Sequence, residues 1–335
     1  MSSFGLGDLA QTFLLQRRGA ALKADMTRLN EELTTGQVSD VKSVLAGNVS
    51  YLSDIEGDLR TLSGYKVAGT EAAQYASSAQ TALSRIDASA TNLSSALLTI
   101  ASNTVGPVLD QMSADAESEM TAIVSALNTS SAGRSLFAGA ATDRAALNSA
   151  DTILADLRAA IAGNTTPSDI STAVDQWFDD PAGFSASAYV GSDASIAPFQ
   201  VSEDEQVAVD LKANDAVFRD LIKGAAMAAI AADDSLGLDG VEQQELLSIA
   251  GRDLFSAKDD LIATRGALGA AEARIDTIAT QNAARDTSLQ FAKGALLQAD
   301  PYDTATQLEA VQFQLQSLYT ITSRMSGLSL VNFIR

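Results

Sequence analysis

Residues 247–296 read LSIAGRDLFSAKDDLIATRGALGAAEARIDTIATQNAARDTSLQFAKGAL. Within them Leu247, Leu254, Leu261, Leu268 and Ile275 stand seven residues apart, and the same count passes through Asn282 to reach Leu289 and Leu296. Three residues beyond each come Ala250, Ala257, Thr264, Ala271, Ile278, Arg285 and Ala292. No proline interrupts the run. As one helix it would extend roughly 75 Å at about 1.5 Å per residue. A single apolar seam sustained at this period marks a long helix packed along other long helices. The many alanines at the companion positions predict close approach. A helix of that length needs partners of matching length elsewhere in the chain.

Residues 51–102 supply one. Leu52, Ile55, Leu59 and Leu62 alternate steps of three and four. After a slip near Tyr65–Gly69 the pattern resumes at Ala72 and continues through Ala76, Ala79, Leu83, Ile86, Ala90, Leu93 and Leu97 to Ile100. Asn103–Pro107 breaks it, since proline has no N–H and clashes within a helix. A shorter helix follows, with Leu109, Met112, Ala116, Met120, Ile123 and Leu127 on one face. At the N-terminal end, residues 9–34 form another seam from Leu15, Leu22, Met26, Leu29 and Leu33. Thr34-Thr35-Gly36 closes it, with glycine as the stop. At the other end, Pro301 restarts the chain after Asp300. Leu308, Val311, Leu315, Leu318 and Met325 then repeat the three-and-four spacing. The close, Leu328-Ser-Leu330-Val-Asn-Phe333-Ile-Arg, is apolar where a free tail is ordinarily polar.

Residues 141–239 differ in character. A small helix is predicted over 147–162. Three of the five prolines and the single Trp177 follow. Alternation at 185–190 and at 206–211 predicts strands, and residues 215–231 return to helix. The resulting fold class is mainly α: a long antiparallel helical rod or coiled coil built from the N- and C-terminal regions, with a small mixed α/β insertion. The expected domains are 1–38 with 299–335 as a terminal coiled coil, 39–140 with 240–298 as rod helices, and 141–239 as the insertion.

Composition narrows the function. The net charge is −20. That argues against a nucleic-acid surface, which requires a basic patch, and against anionic membranes. The chain contains neither Cys nor His. Thiol nucleophiles, thiolate or imidazole metal sites and the usual general base are therefore absent. Residues 1–13 lack a signal-peptide layout, and no apolar run is long enough for a membrane span. Three stretches invite a chemical reading. Asp233–Asp239 fails as a calcium loop, because Leu236 and Leu238 fall on liganding places. Glu203-Asp204-Glu205 reads as a turn before a strand, and Trp177-Phe178 reads as core. No phosphate-binding glycine motif occurs. No catalytic, cofactor or metal residues are expected.

The layout resembles the flagellin superfamily, and three motifs carry the resemblance. Leu33-Thr-Thr-Gly36-Gln37 is similar to the element that closes the family's first helix. Gly133-Arg-Ser-Leu-Phe-Ala-Gly139, with Asn128 upstream, looks like a Gly-Arg-Tyr-Leu-Phe-Ser-Gly element of the hook–filament junction proteins. Leu328-Ser-Leu-Val-Asn-Phe333 looks like their ending. The resemblance covers roughly 1–140 and 240–335 and is nearest to that junction branch, the third hook-associated proteins. The acidic Asp-Asp-Pro element usual in the family is missing from 38–48.

What the resemblance implies is an extracellular structural subunit of the bacterial flagellum that joins hook to filament, exported by the type III route without a cleaved signal. Implied partners are copies of itself, a neighbouring hook-associated protein, flagellin, and an export chaperone for the C-terminal helix. No nucleic acid and no membrane insertion are expected. The expected assembly interface is Leu15, Leu22, Met26, Leu29, Leu33, Leu308, Val311, Leu315, Leu318, Met325, Leu328, Leu330 and Phe333. A filament-forming flagellin is the alternative within the class. A coiled-coil signalling or adhesion module is the alternative outside it.

Overall fold

The computed structural model describes residues 4–41, 49–100 and 106–333, with side chains described from 10 to 325 within those spans. The sequence expectations at 42–48, at the 103–105 break, and for the side chains of Leu328, Leu330 and Phe333 lie outside the described residues. The fold is mainly helical. Helix α1 is Phe4–Thr35, α2 Val49–Leu98 and α3 Gly106–Leu127. A hairpin of β1 (Ser130–Ser131) and β2 (Arg134–Ser135) follows, then α4 Ala150–Ala160, α5 Pro167–Asp179 and α6 Phe184–Ser187. A second hairpin, β3 (Phe199–Gln200) and β4 (Gln206–Val207), precedes α7 Ala216–Ile230, α8 Gly240–Leu297 and α9 Pro301–Phe333. Each hairpin is a two-stranded antiparallel sheet, with Ser130 opposite Ser135 and Phe199 opposite Val207. The chain divides into two compact units, residues 1–62 with 283–335 and residues 63–282.

The second unit is organised by the seam that opens α8. Leu247, Ala250, Leu254, Leu261, Leu268, Ile275 and Ile278 are buried in one core with Ala72, Ala76, Ala79, Leu83, Ile86, Ala90, Leu93 and Leu97 of α2. Arg265 and Asp87 pair at 2.7 Å across these helices. Gly251 lies so close to α2 that a Cβ there would stand 2.9 Å from that of Leu97. The Tyr65–Gly69 slip leaves α2 unbroken. Helix α3 packs on α7 through Leu109, Ala116, Met120, Ile123 and Leu127.

Within 141–239 the expectations divide. Helix forms near 147–162 and 215–231, as predicted. The 185–190 alternation is no strand, because α6 turns there, the N–H groups of Ala188 and Tyr189 both bonding to Phe184 O; pairing is limited to one isolated antiparallel bridge between Tyr189 and Leu147. Helix α5 occupies a stretch to which the sequence pattern assigns no element. Its start is conventional, with Thr166 capping Asp169 N at 3.2 Å and Pro167 in the first turn, where a missing N–H costs nothing. Of the 206–211 run, only Gln206–Val207 is strand.

The Gly133–Gly139 element fastens this unit together. Leu136, Phe137 and Ala138 are buried, and Tyr75 donates to Leu136 O at 2.7 Å. Phe137 stands edge-on to Phe218 at 5.6 Å, and its carbonyl accepts from Ala213 N at 2.8 Å. Gly139 has φ +58°, and a Cβ there would lie 2.1 Å from Ser192 O, so only glycine fits. Asn128 accepts from Ala146 N and Leu147 N at 3.0 and 2.8 Å and donates to Leu147 O.

Asn282 explains the gap in the heptad seam. It is buried and donates from Nδ2 to Val201 O at 2.8 Å, tying the β3–β4 hairpin to α8. A buried carbonyl without a partner costs about 1–3 kcal/mol. Asn282→Leu completes the apolar heptad, yet it is expected to lower the urea-unfolding free energy by about 1–3 kcal/mol.

Tyr189 gives this unit an alkaline limit. Its hydroxyl donates to Ser192 O at 2.8 Å. Burial foremost, with Asp193 and Asp215 adding, pushes its pKa up to about 12 from an ordinary value of 10.0. A raised folded-state pKa stabilises fully below the unfolded value and ceases to do so as pH rises through the folded one. Melting temperature is therefore expected to fall between about pH 10 and 12, and Tyr189→Phe should flatten that part of the profile.

Candidate assembly interface

The first unit brings together the two ends of the sequence. Helices α1 and α9 pack on each other, and they run antiparallel. Gln11 Nε2 lies 4.0 Å from Met325 Sδ, a Cβ on Gly19 would stand 3.2 Å from Leu318 Cδ2, and Lys23 Nζ sits 5.8 Å from the centre of the Tyr319 ring. The amphipathic spacing of both helices accounts for the pairing. Each seam turns its apolar stripe to the other, and hydrophobic burial is worth about 1.5–3 kcal/mol per fully covered large side chain.

The candidate residues are covered to different degrees. Leu22, Leu29 and Leu308 are buried. Leu15, Met26, Val311, Leu315, Leu318 and Met325 are half-buried. Leu33 is 42 % exposed, at the end of α1 where the chain turns away. The side chains of Leu328, Leu330 and Phe333 lie outside the described residues.

The open end of the pair is closed by backbone. Gly36, with φ +68°, ends α1 by donating its N–H to Glu32 O at 2.8 Å. Val38 N bonds to Leu297 O and Ala299 N to Gly36 O, both at 2.9 Å, so Gln37 and Gln298 form an antiparallel bridge. Glu32 is buried beside this turn and accepts from Arg28 Nη1 at 2.9 Å and Ser39 N at 3.0 Å. Asp300 then caps α9, accepting from Tyr302 N and Asp303 N at 2.9 and 3.2 Å. Nearby, Lys293 of α8 meets Glu56 of α2 at 2.7 Å. The hydrogen bond and charge of Lys293 hold the Glu56 carboxyl below its usual range.

Beyond the seam lie residues that heptad reading passed over. Phe13 and Leu14 on α1, and Phe313, Tyr319 and Ile321 on α9, are each at least half exposed. Their signal in the sequence was apolar character at positions the seam should leave polar. A helix pair with apolar residues on its outer side as well is built to be covered again. Among the described residues no cluster of His, Cys, Asp or Glu could hold a metal ion, and no helix is long and apolar enough to cross a membrane. The arrangement offers contact surface.

Residues 9–142 match the family model of the bacterial flagellin N-terminal helical region, and residues 255–334 match that of the bacterial flagellin C-terminal helical region. Together these take in more than half of the chain. No curated protein matches it in sequence. A solved structure described as a flagellar hook-associated protein from Vibrio parahaemolyticus is similar at 17 % identity, covering 73 % of this chain and 95 % of that one with a TM-score of 0.49.

The seam and the outer residues should respond differently to substitution. Leu29→Ala removes a fully covered side chain, a change that costs about 2–5 kcal/mol in packed cores, and should reduce the far-ultraviolet helical signal. Phe313→Ser should leave that signal unchanged, because exposed substitutions shift stability by about 0.5 kcal/mol or less.

Proposed function

The chain belongs to the flagellin superfamily, whose members are structural subunits of the bacterial flagellum, and from that premise we propose that it is the subunit that joins hook to filament. The observation that carries the reading is the antiparallel α1–α9 pair, which unites both ends of the chain and leaves Phe13, Leu14, Phe313 and Ile321 uncovered on it. The junction role is supported by Gly133–Gly139 and by the Leu328–Phe333 ending, both of which resemble the junction proteins' elements. In this reading residues 1–38 and 299–335 form the contact layer between copies. Residues 39–140 and 240–298 form the rods, and 141–239 an outward insertion. A neighbouring hook-associated protein lies on one side and flagellin on the other. A chaperone holds the C-terminal helix before export through the type III channel.

Among the described residues few side chains are fully covered within the α1–α9 pair, and helices of this kind are marginal in water until an apolar face is partnered. Residues 1–36 and 302–335 are therefore only marginally paired in the monomer and order fully on assembly. A second reading, a subunit of the filament itself, is favoured by the matching family models being those of bacterial flagellin. Polymerisation separates the two: a junction subunit forms short assemblies alone, and a filament subunit forms long ones.

The tagged protein is expected at the hook–filament boundary of intact flagella, and labelling along the whole filament would support the second reading. Deleting 326–335 should leave residues 63–282 folded by circular dichroism yet abolish incorporation; normal motility in that deletion would count against the proposal. Hydrogen exchange on the monomer should find weak protection in both terminal segments, and strong protection there would refute ordering on assembly.

A further inference from the structure

The second unit carries nearly all of the acidity. It holds 30 of the 42 acidic residues and 12 of the 22 basic ones, a net −18 of the chain's −20. Two copies approaching through this unit repel each other wherever acid meets acid. A contact between copies therefore requires a place where one offers cation and apolar surface together, and the other offers acid set among apolar side chains. Both features are present.

The first is a groove of about 520 Å³ between α2 and the tip of the β1–β2 hairpin, lined chiefly by Lys66, Val67, Thr70, Tyr75, Ala132 and Arg134. Its volume lies within the roughly 300–1,000 Å³ of ligand-sized clefts. Val67 is 67 % exposed on its floor. Arg134 is taken up by Glu71 in an ion pair, whereas Lys66 makes no ion pair among the described residues. The groove thus keeps one uncommitted cation in a strongly acidic unit.

The second is an outward stripe on α8, turned away from its buried seam. Phe255 and Ile262 are 58 % and 56 % exposed, and Asp259 stands between them with no ion pair among the described residues. Gly266 and Gly269 continue the stripe with open space where a Cβ would be. Phe255 and Ile262 are about 10.5 Å apart along the helix, and Val67 and Tyr75 about 12 Å, at roughly 1.5 Å per residue.

We propose that the α8 stripe of one copy, Phe255 with Asp259 and Ile262, seats in the α2–hairpin groove of a second copy, Asp259 meeting Lys66. The contact is heterologous, with a different surface used on each partner. It propagates from copy to copy as an open series or a ring rather than closing into a two-fold dimer. It rests on the self-assembly proposed above and names its chemistry in the second unit.

The chain has no cysteine, so single engineered thiols report proximity cleanly. Val67→Cys and Ile262→Cys chains are purified separately, mixed with the rest of the sequence intact, and mildly oxidised. The mixed disulfide is expected to exceed either homodimer by about 10-fold, since a directed contact favours one pairing. In parallel, Lys66→Glu and Asp259→Lys should each weaken self-association by about 10-fold in sedimentation, and the double exchange should recover most of it. Homodimers equal to the mixed species, or a double exchange no better than the singles, would overturn the contact while leaving self-assembly standing. A wild-type chain that stays monomeric at every concentration would overturn both.

Discussion

A helix with an apolar stripe along its length cannot leave that stripe in water, and most of this structure answers that demand. The buried face of α8 makes the need largest: its residues recur every seven positions, and from Leu247 to Ile278 they are buried in one core with the seam of α2. Alanine at many facing positions lets the two backbones come close, and the approach of Gly251 to Leu97 shows how close. Arg265 and Asp87 add a pair at 2.7 Å that is only partly exposed on either side. A pair of this kind contributes about 1 kcal/mol at most at a surface, so register here is set by packing and only refined by charge.

The segment between the long helices is held by a different device. Gly133–Gly139 has almost no regular structure, yet its buried side chains and its carbonyls bind α2, α7 and the loops near 192 and 213. The backbone groups of an irregular segment must find partners one by one, and here they do so through the Tyr75 hydroxyl and through main chain at Thr129, Thr142, Ser192 and Ala213. Side-chain identity therefore matters at positions where a helix would tolerate exchange. That is the physical reason a short motif stands out in a chain otherwise rich in Ala, Leu and Ser.

The same contrast decides what could be read from the sequence alone. Helices α1, α2, α3, α7, α8 and α9 were legible because a period of three and four survives in each over many turns. Asn282 looked like a lapse in the pattern; its bond to Val201 O is made by a hairpin 81 residues away, and spacing along one helix does not record such a partner. Residues 185–190 alternate like a strand, but local bonds to Phe184 O wind the first of them into a turn of helix and leave Tyr189 a single bridge to Leu147. Helix α5 was hidden by its proline, although Thr166-Pro167 is a helix start. Within the interface, the inner seam was legible through its period. Phe13, Leu14, Phe313 and Ile321 were not, because residues outside a repeat become meaningful only once their exposure is known.

Exposure of that kind is a hazard in a chain that must stay dispersed before it assembles. The distribution of charge meets it. The first unit is nearly neutral, at −2, and holds Phe13, Phe291, Tyr302 and Phe313, the most exposed of its large apolar residues among those described. The second unit carries −18. At physiological salt, charge acts over about 8 Å, so that acidity opposes random collision without reaching through a well-fitted contact. Hydrophobic attraction is gained only when surfaces meet in register. The balance selects ordered packing over aggregation: an ill-fitting encounter meets acid against acid, and only a fitted one covers enough apolar surface to outweigh it.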